Sequence, residues 1–204
     1  MLLEYIHSVI ICFITLLPVA NPLTSTTLLL TLGNNLNPYE RKKQIYLATF
    51  YVAIIMLICF YAGNEIINAF GVSINALRIT GGIILSYIGF NMLFTLNHNE
   101  QPIKEKPNIS LVPLALPGTA GPGTIALIIS SSSKLPSTIM IHCVIFTVTA
   151  LISFVFLISL LSANKLFKLL GNSGIDAISR IMGFLLISMG VQFIITGLQV
   201  LLKF

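Results

Sequence analysis

LLPVANPLTSTTLLLTL, Leu16–Leu32, and LALPGTAGPGTIALIIS, Leu114–Ser130, decide how this chain is read. Each is apolar enough to enter a membrane, yet each carries an Asn-Pro or Gly-Pro step in its middle. An interior proline removes a helix hydrogen bond and clashes with the turn before it. The two steps stand at equivalent places: Pro22 aligns with Pro122, Ala20 with Ala120 and Thr24 with Thr124. Asparagine is a favoured N-cap and proline a favoured first helical residue, so Asn21-Pro22 predicts the start of a second half-helix. Gly121-Pro122 repeats the arrangement. A half-helix of about 11 residues is about 16 Å long, roughly half the hydrocarbon core of a bilayer.

The surrounding sequence makes the membrane the right frame. The chain of 204 residues is 56% hydrophobic and only 8% charged, against about 25% charged in a soluble domain. Asp, Glu, Lys and Arg are absent from Tyr5 to Tyr39, Gln44 to Asn64, Ile79 to Asn99, Pro107 to Ser133, Leu135 to Asn164 and Ile181 to Leu202. Each run meets or exceeds the roughly 20 residues a spanning helix needs. Backbone amides inside lipid must be satisfied within their own segment, and these runs lack the strict alternation of barrel strands. The expected fold is an all-α membrane protein of six transmembrane helices. The first run is expected to remain as helix one rather than be removed as a signal peptide, because Glu4 and His7 replace the usual basic flank.

Charge placement predicts topology rather than nucleic-acid binding. Arg41, Lys42, Lys43, Lys104, Lys106, Lys165, Lys168 and Arg180 fall in alternate loops, and Arg78, Lys134 and Lys203 fall on the other side. The positive-inside rule puts the larger group in the cytoplasm and both termini outside. Cys12, Cys59 and Cys143 lie inside spans and are expected to act as small apolar side chains, with no metal or cofactor implied.

The chain divides into a first three-helix repeat (1–96), a polar linker (97–108, with HNEQPIKEKPN) and a second three-helix repeat (109–204). ALRITGGIILSYIGFNML from Ala76 parallels AISRIMGFLLISMGVQFI from Ala177, matching Arg78 with Arg180, Gly81 with Gly183 and Ser86 with Ser188. Three spans per half invert the second copy relative to the first. Helices 1 and 4 would then be the broken ones. Corresponding broken helices in two inverted halves point to a transporter's binding site. Half-helix N-termini near the midplane offer free N–H groups and a positive dipole end to a small anionic group.

The candidate substrate-binding residues are Asn21, Pro22, Thr24, Thr119, Gly121, Pro122, Gly123 and Thr124. The nearby hydroxyls serve either substrate contact or helix packing. Arg78 and Arg180 open their spans and are candidates for gating or anchoring, with Glu65 a candidate partner of Arg78. Asn91 and Gln192, deep in the third and sixth spans, are candidates for substrate or interhelical hydrogen bonds. The glycines of those two spans are expected to permit close helix packing. Residues 118–124 match a phosphate loop only superficially, lacking its lysine. The acids are too few and peripheral for a hydrolytic triad, so no enzyme is expected.

LLPVANPLTSTTLLLTLGNNLN, ALRITGGIILSYIGFNMLF, VPLALPGTAGPGTIALIISSSS and GNSGIDAISRIMGFLLISMGVQFIITGL together resemble the MarC family of bacterial integral membrane proteins. The likeness covers nearly the whole chain, and its N-P and P-x-x-A-G-P segments are specific. The linker is shorter than the acidic stretch such chains often carry. The resemblance implies a six-span inner-membrane protein with both termini periplasmic. The family name implies multiple antibiotic resistance, and the family resembles small neutral amino acid transporters. Two expectations follow. One is a secondary transporter of a small solute, whose partners are that solute and the lipid bilayer. The other is a non-transporting structural or partner-binding membrane protein. Oligomeric state does not follow from the sequence.

Overall fold

A computed structural model of the protein describes residues 2–33, 36–94, 108–132 and 138–202. Most of the linker expected at 97–108 therefore lies outside the described residues. Among the described residues the chain is helical, with no strand. The elements are α1 (Leu2–Ala20), α2 (Pro22–Leu32), α3 (Pro38–Tyr61), α4 (Gly63–Ala69), α5 (Ile74–Phe94), a wide-turned segment (Ser110–Thr119), α6 (Pro122–Ser132), α7 (Ile139–Leu161) and α8 (Ala163–Leu202).

Five helical stretches among the described residues are long and apolar enough to cross a membrane: Leu2–Leu30, Pro38–Tyr61, Ile74–Phe94, Ile139–Leu161 and Ser173–Gln199. The fourth of the six expected spans does not form one long helix. It is split into the wide-turned segment and α6, of 10 and 11 residues, neither long enough to span alone. Local sequence accounts for the split. Val112 (φ −129°, ψ 116°) and Leu116 (φ −121°, ψ 124°) are extended. Each precedes a proline, Pro113 or Pro117, and a residue before proline is pushed out of the α region. The amides of Leu114 and Ala120 accordingly reach five residues back, to the carbonyls of Ile109 (3.1 Å) and Ala115 (2.9 Å). Gln44 Oε1, on α3, accepts from the Ser110 amide at 3.0 Å and holds the start of the segment.

The other boundaries have equally local causes. Asn37 caps α3, accepting from the Glu40 amide at 2.8 Å, with Pro38 first in the helix. Ser73 Oγ accepts from the Ala76 amide at 3.1 Å where α5 begins. α8 breaks at Gly171, whose φ of 62° ends a short first section before the long apolar run.

α5 and α8 run antiparallel in close contact. A Cβ on Gly82 would lie 2.5 Å from the Gly190 carbonyl oxygen, and one on Gly89 would lie 2.5 Å from that of Gly183. Glycines on both helices thus let the backbones approach, as expected from sequence. In lipid such contacts replace the hydrophobic force that holds a soluble core together. The main buried cluster joins α1, α2, α3, the wide-turned segment, α6 and α7, with Phe156, Val52, Leu114 and Ile152 at its centre. A second cluster of Val19, Leu85, Leu127 and Leu186 lies where α1, α5, α6 and α8 meet. Large apolar side chains such as Ile10, Ile14, Phe90, Phe154 and Phe184 face outward.

Candidate functional site

The two breaks meet. α1 ends at Ala20, Asn21 adopts left-handed backbone (φ 37°, ψ 69°), and α2 starts at Pro22. Asn21 is the one non-glycine residue with positive φ among the described residues. Asparagine tolerates this region better than other side chains, and the following proline disfavours the α alternative. Asn21 occupies the N-cap position of α2, but its side chain makes no capping bond. Its Nδ2 instead donates to Met92 Sδ, on α5, at 3.4 Å. Asn21 is 5% exposed, and its Oδ1 is buried without a hydrogen-bond partner.

Asn21 and Thr24 from the first break face Gly121, Gly123 and Thr124 from the second across a cavity of about 150 Å³. Its apolar walls are Val19, Leu28, Leu85, Ile88 and Leu186. No ionisable side chain lines it. The first turns of α2 and α6 both border this space. Pro22 and Pro122 carry no N–H, and the Thr24 amide donates to the Asn21 carbonyl at 3.2 Å. The amides that precede the first bond of their helix here are therefore those of Gly123 and Thr124. The positive ends of two helix dipoles therefore bear on one small cavity.

Hydroxyl groups knit the walls together. Ser25 Oγ donates to the Leu114 carbonyl at 3.1 Å and lies 3.0 Å from Thr119 Oγ1. Thr124 Oγ1 donates to the Thr119 carbonyl at 2.8 Å. Ser25, Thr119 and Thr124 are all buried, so their hydroxyls first serve the fold. Among the described residues, the Asn21 carbonyl oxygen and the half-buried Thr24 hydroxyl are the polar side-chain groups of the lining that make no hydrogen bond. Pro22 and Pro122 start their helices without lining the cavity, and Pro122 is exposed.

α6 lies antiparallel along α5, and its contacts place it. A Cβ on Gly123 would collide with Leu85 Cδ2, and one on Gly81 would lie 2.5 Å from Ala126 Cβ. One step further, Arg78 Nη2 donates to the Ser130 carbonyl in the last turn of α6 at 2.9 Å. Arg78 is buried, and no carboxylate among the described residues pairs with it. The sequence-based pairing with Glu65 is not formed; Glu65 is exposed. The negative end of the α6 dipole takes the place of a counter-ion.

The remaining candidates are not brought to this site. Arg180, Asn91 and Gln192 are exposed, and Gln192 Nε2 donates to Thr196 Oγ1 in its own helix at 3.3 Å. Leu85 and Met92, which shape the cavity and orient Asn21, were not singled out from sequence. Their α5 spacing of seven residues was the available signal. Among the described residues no group of three or more His, Cys, Asp and Glu side chains comes together to hold a metal.

The class is therefore a multi-pass helical membrane protein with two interrupted helices around a small internal cavity. A family model described as MarC family integral membrane protein matches residues 6–202. The chain belongs to that family. It is 45% identical to the inner membrane protein MarC of Salmonella paratyphi A, over 93% of each chain. It is 42% identical to the inner membrane protein MarC of Escherichia coli O139:H28, and to that of Shigella flexneri, over 99% of each chain. No solved structure matches the chain.

Proposed function

We propose that this protein is an inner-membrane secondary transporter of a small neutral amino acid, of glycine or alanine size. The observation that carries the reading is the convergence of both helix breaks on one cavity beside the unpartnered Asn21 Oδ1. A zwitterion presents a carboxylate and an ammonium. The Gly123 and Thr124 amides, which precede the Ile125-to-Gly121 bond of α6, suit the carboxylate, and Asn21 Oδ1 accepts from the ammonium. The walls carry no charge to pair with an ionised side chain, and an apolar cavity of about 150 Å³ accepts a molecule of benzene size. No catalytic step is part of this reading.

The reading includes six spans arranged as two inverted three-helix repeats, with both termini on the periplasmic side and the repeats rocking around the site. The antiparallel glycine contacts of α5 and α8, the third helices of the two halves, support it. Arg78 and Arg180 are then the equivalent residues of the two halves, with Arg78 anchoring α6. The alternative is a packing protein whose breaks are kinks, and the internal bonds of Ser25, Thr119 and Thr124 favour it.

Uptake of labelled glycine and alanine into liposomes holding the purified protein tests the proposal. Asn21→Gly is the informative variant, because glycine keeps the left-handed backbone and removes only the amide. Uptake by the wild type and its loss in a folded Asn21→Gly protein are expected. Undiminished uptake by the variant rejects the site. No uptake of any small solute, with cysteines placed at residues 21 and 121 shielded from aqueous reagents on both faces, favours the packing protein.

A further inference from the structure

A second cavity, of about 270 Å³, lies where α3 begins and α7 ends, away from the breaks. Ile45, Leu160 and Leu161 form part of its apolar wall, and Arg41, Lys42 and Asn164 supply its polar groups. We infer that this cavity binds the phosphate of an anionic phospholipid, with part of an acyl chain against the apolar wall.

The placement of charge carries the inference. Arg41 Nη2 donates to Asn164 Oδ1 at 3.3 Å, so the start of α8 holds the guanidinium at the cavity. One neutral amide oxygen satisfies one of five N–H donors, which leaves the fork available for phosphate oxygens. Lys42 adds a second cation, and Lys43, Lys165 and Lys168 are exposed on the same two helix starts. Glu40 is the acid nearest in sequence, and it is exposed and outside the lining. Basic pockets between transmembrane helices at a membrane face bind anionic headgroups, with about 1 kcal/mol per Lys or Arg.

The wall distinguishes a lipid from free phosphate. Apolar surface gives nothing to an inorganic ion, but it matches the glycerol end of an acyl chain. The section of α8 before Gly171 extends the same pattern. Lys165 and Lys168 are exposed there, and Leu169, four residues after Lys165 and on the same helix face, is 84% exposed. Cations beside a bare leucine suit a membrane interface, where the lysine head stays in water and its stem lies along apolar surface.

Native mass spectrometry of the detergent-purified protein, titrated with phosphatidylglycerol or phosphatidylethanolamine, tests the site. Phosphatidylglycerol is expected to be retained over phosphatidylethanolamine. Arg41→Ala and Lys42→Gln should each weaken it about fivefold, the equivalent of about 1 kcal/mol. Lys43→Ala removes the same charge one residue away, outside the lining, and should leave retention unchanged. If Arg41→Ala fails to fold, the comparison of Lys42→Gln with Lys43→Ala decides alone. Equal losses in those two variants mean a diffuse basic surface and overturn the site. Equal retention of the two lipids overturns it as well. Displacement of phosphatidylglycerol by millimolar inorganic phosphate would make this a site for the free ion and reject the lipid.

Discussion

Asn21 concentrates three properties in one side chain. Its backbone is left-handed, its amide hydrogen is given to a thioether, and its carbonyl oxygen is buried without a partner. A sulfur acceptor is weak, so little fold energy is tied up in that contact. A left-handed conformation costs most L-residues about 1–2 kcal/mol, and asparagine less. Asn21→Ala should therefore lower stability by about 1 kcal/mol, whereas Asn21→Gly should match or exceed the wild type. Thermal unfolding followed by circular dichroism in detergent would show the order. Arg78 makes the complementary point at this scale. Its place at a span end was legible in the sequence, but its partner was not. Ser130 lies 52 positions away, and only the packing of α6 on α5 puts its carbonyl in reach.

Glycine placement governs how the elements meet. On α5, Gly82 and Gly89 face Gly190 and Gly183 of α8, carbonyl against α-carbon. Larger side chains there must push backbone, which does not yield as a flexible side chain does. Gly89→Val should destabilise the protein by about 1–3 kcal/mol, the usual range for overpacking. Gly71→Ala is the control for glycine loss: a Cβ there would meet no atom within 4 Å, so only the positive φ matters. Comparing the unfolding temperatures of the two variants separates crowding from backbone strain. The α2 and α6 starts were legible because proline and its predecessor act locally. The wide-turned segment before α6 has an equally local cause in Pro113 and Pro117.

At the scale of the whole molecule, the outside is apolar and the centre holds the hydroxyls. Ser25, Thr119 and Thr124 are buried, while Phe90, Phe154 and Phe184 are more than half exposed. That distribution suits a hydrocarbon solvent. Phe154, near the middle of α7 and 58% exposed, should be intolerant of charge. Phe154→Lys is expected to cost about 2.5–3.5 kcal/mol of membrane insertion, and Phe154→Leu almost nothing. The yield of each folded protein in the membrane fraction measures the difference. Exposure also removes Asn91, Gln192 and Arg180 from the cavity. Depth along a span was visible in sequence, but the face on which each residue points was not.

The sequence by itself determined that the chain is a helical membrane protein, that helices start at Asn21-Pro22 and Gly121-Pro122, and at which ends of its spans its cations gather. Those properties follow from side-chain hydropathy, charge and proline sterics, each of which acts within a few residues. Only the tertiary structure decided that breaks at Asn21 and Gly121 share one cavity. It also decided that Asn21 Oδ1, rather than the threonine cluster, is left without a hydrogen-bond partner among the described residues. That outcome depends on α6 lying along the glycine face of α5, held at one end by Leu85 against Gly123 and at the other by Arg78. No local rule connects residues 100 positions apart. Interhelical packing does, and it turned two proline steps into the two sides of one cavity.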